Sequence, residues 1–119
     1  MPESRDGATA PLTPVVFHVL LALLRGPLHG YGIMKRVEEA SGIRMGPGTV
    51  YGSLNRLLDA GWVAELDPAV VEGTDPRRGR AFELTAAGLT AVRTEAERIR
   101  RLAGMEDVRR LAPGREVAG

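Results

Sequence analysis

The spacing of the apolar residues changes its period along this chain, and that change restricts the folds open to it. From Thr13 to Gly61 they recur at helical spacing in three stretches separated by Gly and Pro. From Trp62 to Leu84 they alternate on either side of a turn-rich segment, as strand residues do. From Thr85 they are helical again. Three helices, a pair of strands and a closing helix, in that order and with nothing left over, make a mainly α-helical domain with a small β-hairpin.

The boundaries follow from local chemistry. Thr13 is a helix cap, and Pro14 suits a first helical position because its missing N–H has no partner there. Val15, Val16, Val19, Leu20, Leu23 and Leu24 then share one face, and Gly26-Pro27 ends the helix near residue 25. A second helix starts near Gly30, with Tyr31, Ile33, Met34 and Val37 as its apolar stripe, and ends at Ser41-Gly42. The third begins after Gly46-Pro47-Gly48 and closes at Gly61. At about 100° per residue, Val50, Leu54, Leu57 and Leu58 share its buried face. Thr49, Gly52, Asn55, Arg56 and Asp59 lie opposite, with Tyr51 and Ser53 on the flanks.

Residues 62–66 and 80–84 read as the two strands, joined by a segment carrying Pro68, Gly73, Pro76, Arg77, Arg78 and Gly79. Thr85 caps the final helix. Its apolar residues Leu89, Val92, Ala96, Ile99 and Ala103 are spaced by three and four, the seam of a helix that pairs with another helix. The expected division is a loose arm over 1–11, a winged helix-turn-helix over 12–84, a dimerisation helix over 85–112 and a frayed tail over 113–119.

Composition narrows the function classes. The 119 residues suit one domain and carry a formal net charge of +1, so any affinity for nucleic acid must come from local pattern. With no cysteine, disulfides, thiol catalysis and thiolate metal sites are excluded. His18 and His29 have no ligand spacing, and Gly46-Pro47-Gly48 lacks the length and lysine of a phosphate loop. Neither a catalytic constellation nor a cofactor motif is legible. No apolar run reaches the roughly 18 residues of a membrane span, and no secretory signal opens the chain, so a cytoplasmic protein is expected. Lys35 is the only lysine among many arginines, a bias that points to a GC-rich bacterial genome.

Helices arranged this way can present the third one to the major groove of double-stranded DNA, which is wide enough to admit it, while the hairpin reaches the neighbouring backbone as a wing. On the exposed face of the third helix, Asn55 can form two hydrogen bonds to an adenine edge and Arg56 two to guanine. Thr49 and Ser53, near the helix N-terminus, can bind phosphate beside the free backbone N–H groups. Gly52 permits close approach. Arg77, Arg78 and Arg80 suit phosphate contact, which adds affinity without sequence choice. Taken singly, each of these residues also suits a solvated surface. The competing reading is a winged helix used only for protein contact, which has no need of all of them together.

Three linked motifs carry a family resemblance. Thr13-Pro14 with Gly26-Pro27-Leu28-His29-Gly30-Tyr31-Gly32-Ile33, the stretch from Gly46 to Val63, and Arg77-Arg78-Gly79-Arg80-Ala81-Phe82-Glu83-Leu84-Thr85-Ala86-Ala87-Gly88 resemble PadR-like transcriptional regulators over about residues 12–103. The resemblance implies a homodimeric repressor on a pseudo-palindromic operator. Its final helices would cross-pack, and a small aromatic or hydrophobic effector would release it from DNA. It further implies DNA contact by Tyr31, Thr49, Tyr51 and the wing arginines. Trp62 stands where a smaller aliphatic is usual, the wing is poor in tyrosine at Ala81 and Phe82, and the chain is similar to the short subgroup without a large C-terminal domain. An effector pocket is then expected between the first helix and the partner's last, lined by Phe17, His18 and Trp62.

Overall fold

Thr13 starts the first helix as its chemistry dictates. In the computed structural model, which describes residues 10–71 and 79–111, its hydroxyl accepts a hydrogen bond from the Val16 N–H at 3.2 Å. Helix α1 spans Pro14–Ala22 and stops short of the expected end near residue 25. The N–H groups of Leu23 and Leu24 turn to carbonyls three residues back, those of Leu20 and Leu21, and Gly26 takes φ 139°. That tighter winding turns Leu24 outward, leaving it 48% exposed.

The chain next forms a short strand, β1 (Leu28–His29), which leads directly into helix α2 (Gly30–Ser41). Helix α3 spans Pro47–Ala60, with Pro47 in its first turn, and ends at Gly61 with φ 80°. Strand β2 (Val63–Leu66), a 3₁₀ turn at Pro68–Val70 and strand β3 (Ala81–Leu84) follow. The sheet has three antiparallel strands in the order β1-β3-β2, where two were expected. Leu28 pairs with Phe82 and His29 with Ala81 on one side of β3, and Val63 pairs with Leu84 on the other. A strand of two residues is too short for an alternating pattern to register, so β1 is created by the exposed edge of β3.

Helix α4 (Ala86–Ala103) is capped by Thr85, whose hydroxyl accepts from the Gly88 N–H at 3.1 Å and donates to the Gly61 carbonyl at 2.6 Å. One residue thus caps α4 and ties it to the end of α3. Helix α4 ends at Gly104, and a single further turn, α5 (Glu106–Arg109), follows within the 85–112 segment read as the dimerisation helix.

The core lies where α1, α2, α3 and β3 converge. Val19, Leu20, Ile33, Val37, Val50, Leu54 and Phe82 are at most 1% exposed there. Burying each such side chain stabilises the fold by about 1.5–3 kcal/mol. Val92 of α4 joins the same cluster at 2% exposure, so α4 packs first on its own chain. Two charged groups reinforce the frame. The Arg36 guanidinium donates to the Ala22 carbonyl at the end of α1. The buried Glu95 accepts from Arg98 Nε at 3.0 Å. Arg98, together with the Leu12 N–H, holds the Glu95 carboxyl below the usual carboxylate range.

Candidate nucleic-acid interface

Helix α3 turns one face inward through Val50, Leu54 and Leu57 and leaves Thr49, Asn55, Arg56 and Asp59 exposed. Four of the polar residues assigned to its open face by helical spacing therefore lie there. Ser53 does not. It is 1% exposed and accepts a long hydrogen bond from Arg56 Nη2 at 3.5 Å, so it steadies Arg56 from beneath and is turned away from any phosphate. The flank position read from the wheel proves to be interior, because Ser53 joins Val50, Leu54 and Leu57 on the buried side of α3.

Tyr51 is half-buried. Its ring lies tilted against Phe82 of β3, with centroids 6.3 Å apart, and its hydroxyl end packs onto the Cα of Gly30. Any side chain at Gly30 would overlap the Tyr51 hydroxyl, so the start of α2 comes this close to α3 only because residue 30 is glycine. Tyr31, expected in the apolar stripe of α2 by spacing and at DNA by resemblance, is 50% exposed. Its outward position departs from the stripe, whose buried members are Ile33 and Val37.

Arg80 joins the wing to the helix. Its Nε donates to Glu65 Oε2 and its Nη2 to Glu65 Oε1, each at 3.0 Å. Nη2 also donates to Asn55 Oδ1 at 3.3 Å. The guanidinium carbon sits 5.2 Å from the centroid of the Phe82 ring and 5.9 Å from that of Tyr51. The hydrogen bonds from Arg80 hold the Glu65 carboxyl below its ordinary range. Arg80, expected to be a simple phosphate ligand, is thus part of a polar bridge from β2 to α3. The sequence offered one overlooked signal for Glu65: an acid near the end of one hairpin strand and a base at the start of the other. Arg77 and Arg78 lie outside the described residues.

The remaining expected site residues separate. Of the seam on α4, Leu89 and Ile99 are 38% and 40% exposed and Ala103 is exposed, whereas Ala96 is half-buried and Val92 is committed to the core. Val92 is corrected from seam to core because α1 packs on that turn of α4. The apolar surface continues through Leu102, Met105 and Val108, each at least 40% exposed. Of the residues expected to line an effector pocket with a partner's last helix, Phe17 and His18 lie side by side on α1, with ring centroids 6.2 Å apart. His18 borders a cleft of about 360 Å³ between α1 and α2, together with Leu21, Leu24, Arg25 and Arg36. Phe17 and Trp62 pack against the core instead.

Among the described residues no helix is long and apolar enough to cross a membrane. A helix-turn-helix closed by a small antiparallel sheet, with a polar face on its third helix, defines a winged-helix transcription regulator. The chain belongs to the Transcriptional regulator PadR-like family, whose model matches residues 19–94. It is similar to an uncharacterized 37.1 kDa protein in transposon TN4556 of Streptomyces fradiae, with 43% identity over 86 residues. That alignment takes in 72% of this chain but 23% of the other, so the chain spans about a quarter of the length of that curated relative. Among solved structures it is similar to RosR of H. salinarum, at 25% identity and TM-score 0.62, covering 82% of this chain and 84% of that one. A transcriptional regulator from Clostridium thermocellum shares the fold at 17% identity and TM-score 0.61, covering 86% of this chain and 89% of that one.

Proposed function

We propose that this regulator is a sequence-specific DNA-binding repressor that works in the bacterial cytoplasm as a homodimer on a pseudo-palindromic operator. The observation that carries the reading is the polar edge running from Thr49 through Asn55 and Arg56 on α3 to Arg80 at the wing. A helix with an amide and a guanidinium on its open face can meet base edges in the major groove. The wing supplies backbone contact, with Arg77 and Arg78 in the same role. A module for protein contact alone has no need of this edge.

The dimer follows from the exposed apolar row Leu89, Ile99, Leu102, Met105 and Val108 on α4 and α5, which a second copy would cover. Pairing these helices across a two-fold axis would set two α3 helices about 34–36 Å apart, one turn of DNA. The cleft bordered by His18, Leu21, Leu24, Arg25 and Arg36 offers a small hydrophobic effector an apolar floor beside two cations. Release by such an effector would make the protein a switchable repressor.

The test is fluorescence anisotropy with the duplex just upstream of this protein's own gene, against a scrambled duplex, across a salt series. Preference for the upstream DNA by about a thousandfold or more supports the reading. Equal, steeply salt-dependent binding to both would reduce it to backbone attraction. Absence of binding at low salt would overturn it in favour of protein contact.

A further inference from the structure

Gly52 stands in the interior of α3, and its φ is not positive, so the backbone there would accept any residue that suits a helix. Glycine is less favourable than alanine in a helix interior, so its presence calls for a packing or a functional reason. The packing reason holds at Gly30 and Gly88, where a Cβ would overlap the Tyr51 hydroxyl and the Trp62 carbonyl. It fails at Gly52. Beyond the helix's own backbone, a Cβ there would approach only Arg56 Nη1 among the described residues, at 4.0 Å, an ordinary van der Waals separation. Neither the fold nor the resting place of Arg56 over Ser53 requires the side chain to be missing. The position of Gly52 supplies the other reason. At about 100° per residue, Thr49, Asn55, Arg56 and Asp59 all fall within about 60° of it, so Gly52 is the centre of the exposed polar face.

We infer that Gly52 is a DNA-contact residue: its bare backbone is the point of α3 that comes closest to the base edges in the major groove, and a single methyl group there holds the helix away. The inference rests on the DNA-binding reading above. A reading helix must bring its side chains within hydrogen-bond distance of base edges, and the middle of its open face meets the groove first. Thr49, Asn55 and Arg56 rise on either side of Gly52, so a residue without a Cβ leaves a notch between them that admits a base edge. A methyl group added to so close a contact either overlaps the base or lifts the helix. Lifting it stretches the Asn55 and Arg56 contacts together. Gly52 therefore sets the depth of docking, and through depth the choice of sequence, while offering no side-chain hydrogen bond of its own. Complexes held only by phosphate charge do not need that depth.

The experiment compares Gly52→Ala with the unmodified full-length protein by fluorescence anisotropy. One duplex is selected by the unmodified protein from a randomised library, and the other is a scrambled duplex of the same composition. Affinity for the selected duplex is expected to fall by about tenfold or more, as for an overpacked contact. Affinity for the scrambled duplex and its salt dependence should stay as they are, because no charge changes. The urea midpoint should rise, because alanine is the better helix former and has room. The same fold loss should appear when Gly52→Ala is added to Arg56→Ala, which separates an effect on DNA from one passed through Arg56. Unchanged or tighter binding of the selected duplex, equal losses on both duplexes, or a loss that vanishes beside Arg56→Ala would each overturn the inference. A lowered urea midpoint would also overturn it, by assigning the glycine to the fold. A library that yields no enriched sequence at all would instead sink the sequence-specific DNA reading on which it stands.

Discussion

At the scale of single residues, spacing located the open face of α3, but neighbouring elements decided what each side chain on it can do. Thr49, Asn55, Arg56 and Asp59 are exposed as a helical wheel requires, because α1, α2 and β2 pack on the opposite side. Ser53 lies inside because the covered arc is wider than the apolar residues alone suggest. Arg56→Ala should weaken operator binding by tenfold or more, since a bidentate arginine contact is worth about 1–3 kcal/mol. Its circular dichroism and unfolding midpoint should match those of the unmodified protein, because Arg56 is exposed. Unchanged affinity in the anisotropy assay would remove Arg56 from the interface. Gly88 tests the fold in a different way. A Cβ there would collide with the Trp62 backbone carbonyl, which cannot swing aside as a side chain can. Gly88→Ala should therefore cost about 1–3 kcal/mol, the usual range for overpacking, read as a lower urea midpoint.

At the scale of elements, helices with strong caps were legible and their partners were not. Thr13-Pro14, Gly42, Gly61 and Thr85 each mark a boundary by a chemistry that works within a few residues. Strand β1 is defined only by hydrogen bonds to β3, far along the chain, so no local pattern announces it. The contact between Glu95 on α4 and the Leu12 N–H is of the same kind. Because Glu95 is 5% exposed and bound by Arg98, losing its charge matters for stability. Its folded-state pKa lies below the ordinary 4.5, so the folded state favours the ionised form. The stabilisation is fully present above that ordinary value and is lost as the pH falls through the lower, folded one. The urea midpoint should therefore drop on acidification below about pH 4.5. Glu95→Gln should lower the midpoint at neutral pH and flatten this acid limb. An acid limb as steep as that of the unmodified protein would place the titrating group elsewhere, with Glu65, lowered in the same direction, the next to test.

At the scale of the whole molecule, an exposed apolar row on α4 and α5 is left uncovered by the chain's own core. Heptad spacing marked this helix as a pairing helix, yet the same spacing included Val92, which the core claims. The surface available to a partner is displaced towards the C-terminus, through Ile99, Leu102, Met105 and Val108. Ile99→Glu would bury a charge in the middle of that row and should convert a dimer to monomers in sedimentation velocity, with the helical content of the monomer kept. A dimer that survives the substitution would place the contact elsewhere. Loss of the dimer should also weaken operator binding, because each half-site would then be filled independently, without the gain from linking two binding modules.

The sequence by itself determined the order of elements, most helix boundaries, the face of α3 that carries polar side chains and the family. Each of these depends on periodicity, on capping within a turn, or on motifs that lie in continuous stretches. Only the tertiary structure decided that β1 completes the sheet, that Ser53 and Val92 belong to the interior, and that Arg80 spends two of its donors on Glu65 and one on Asn55. Those outcomes depend on residues brought together from 15 to 25 positions or more apart. No local rule in the chain specifies such meetings, because they are set by how the core packs the elements against one another.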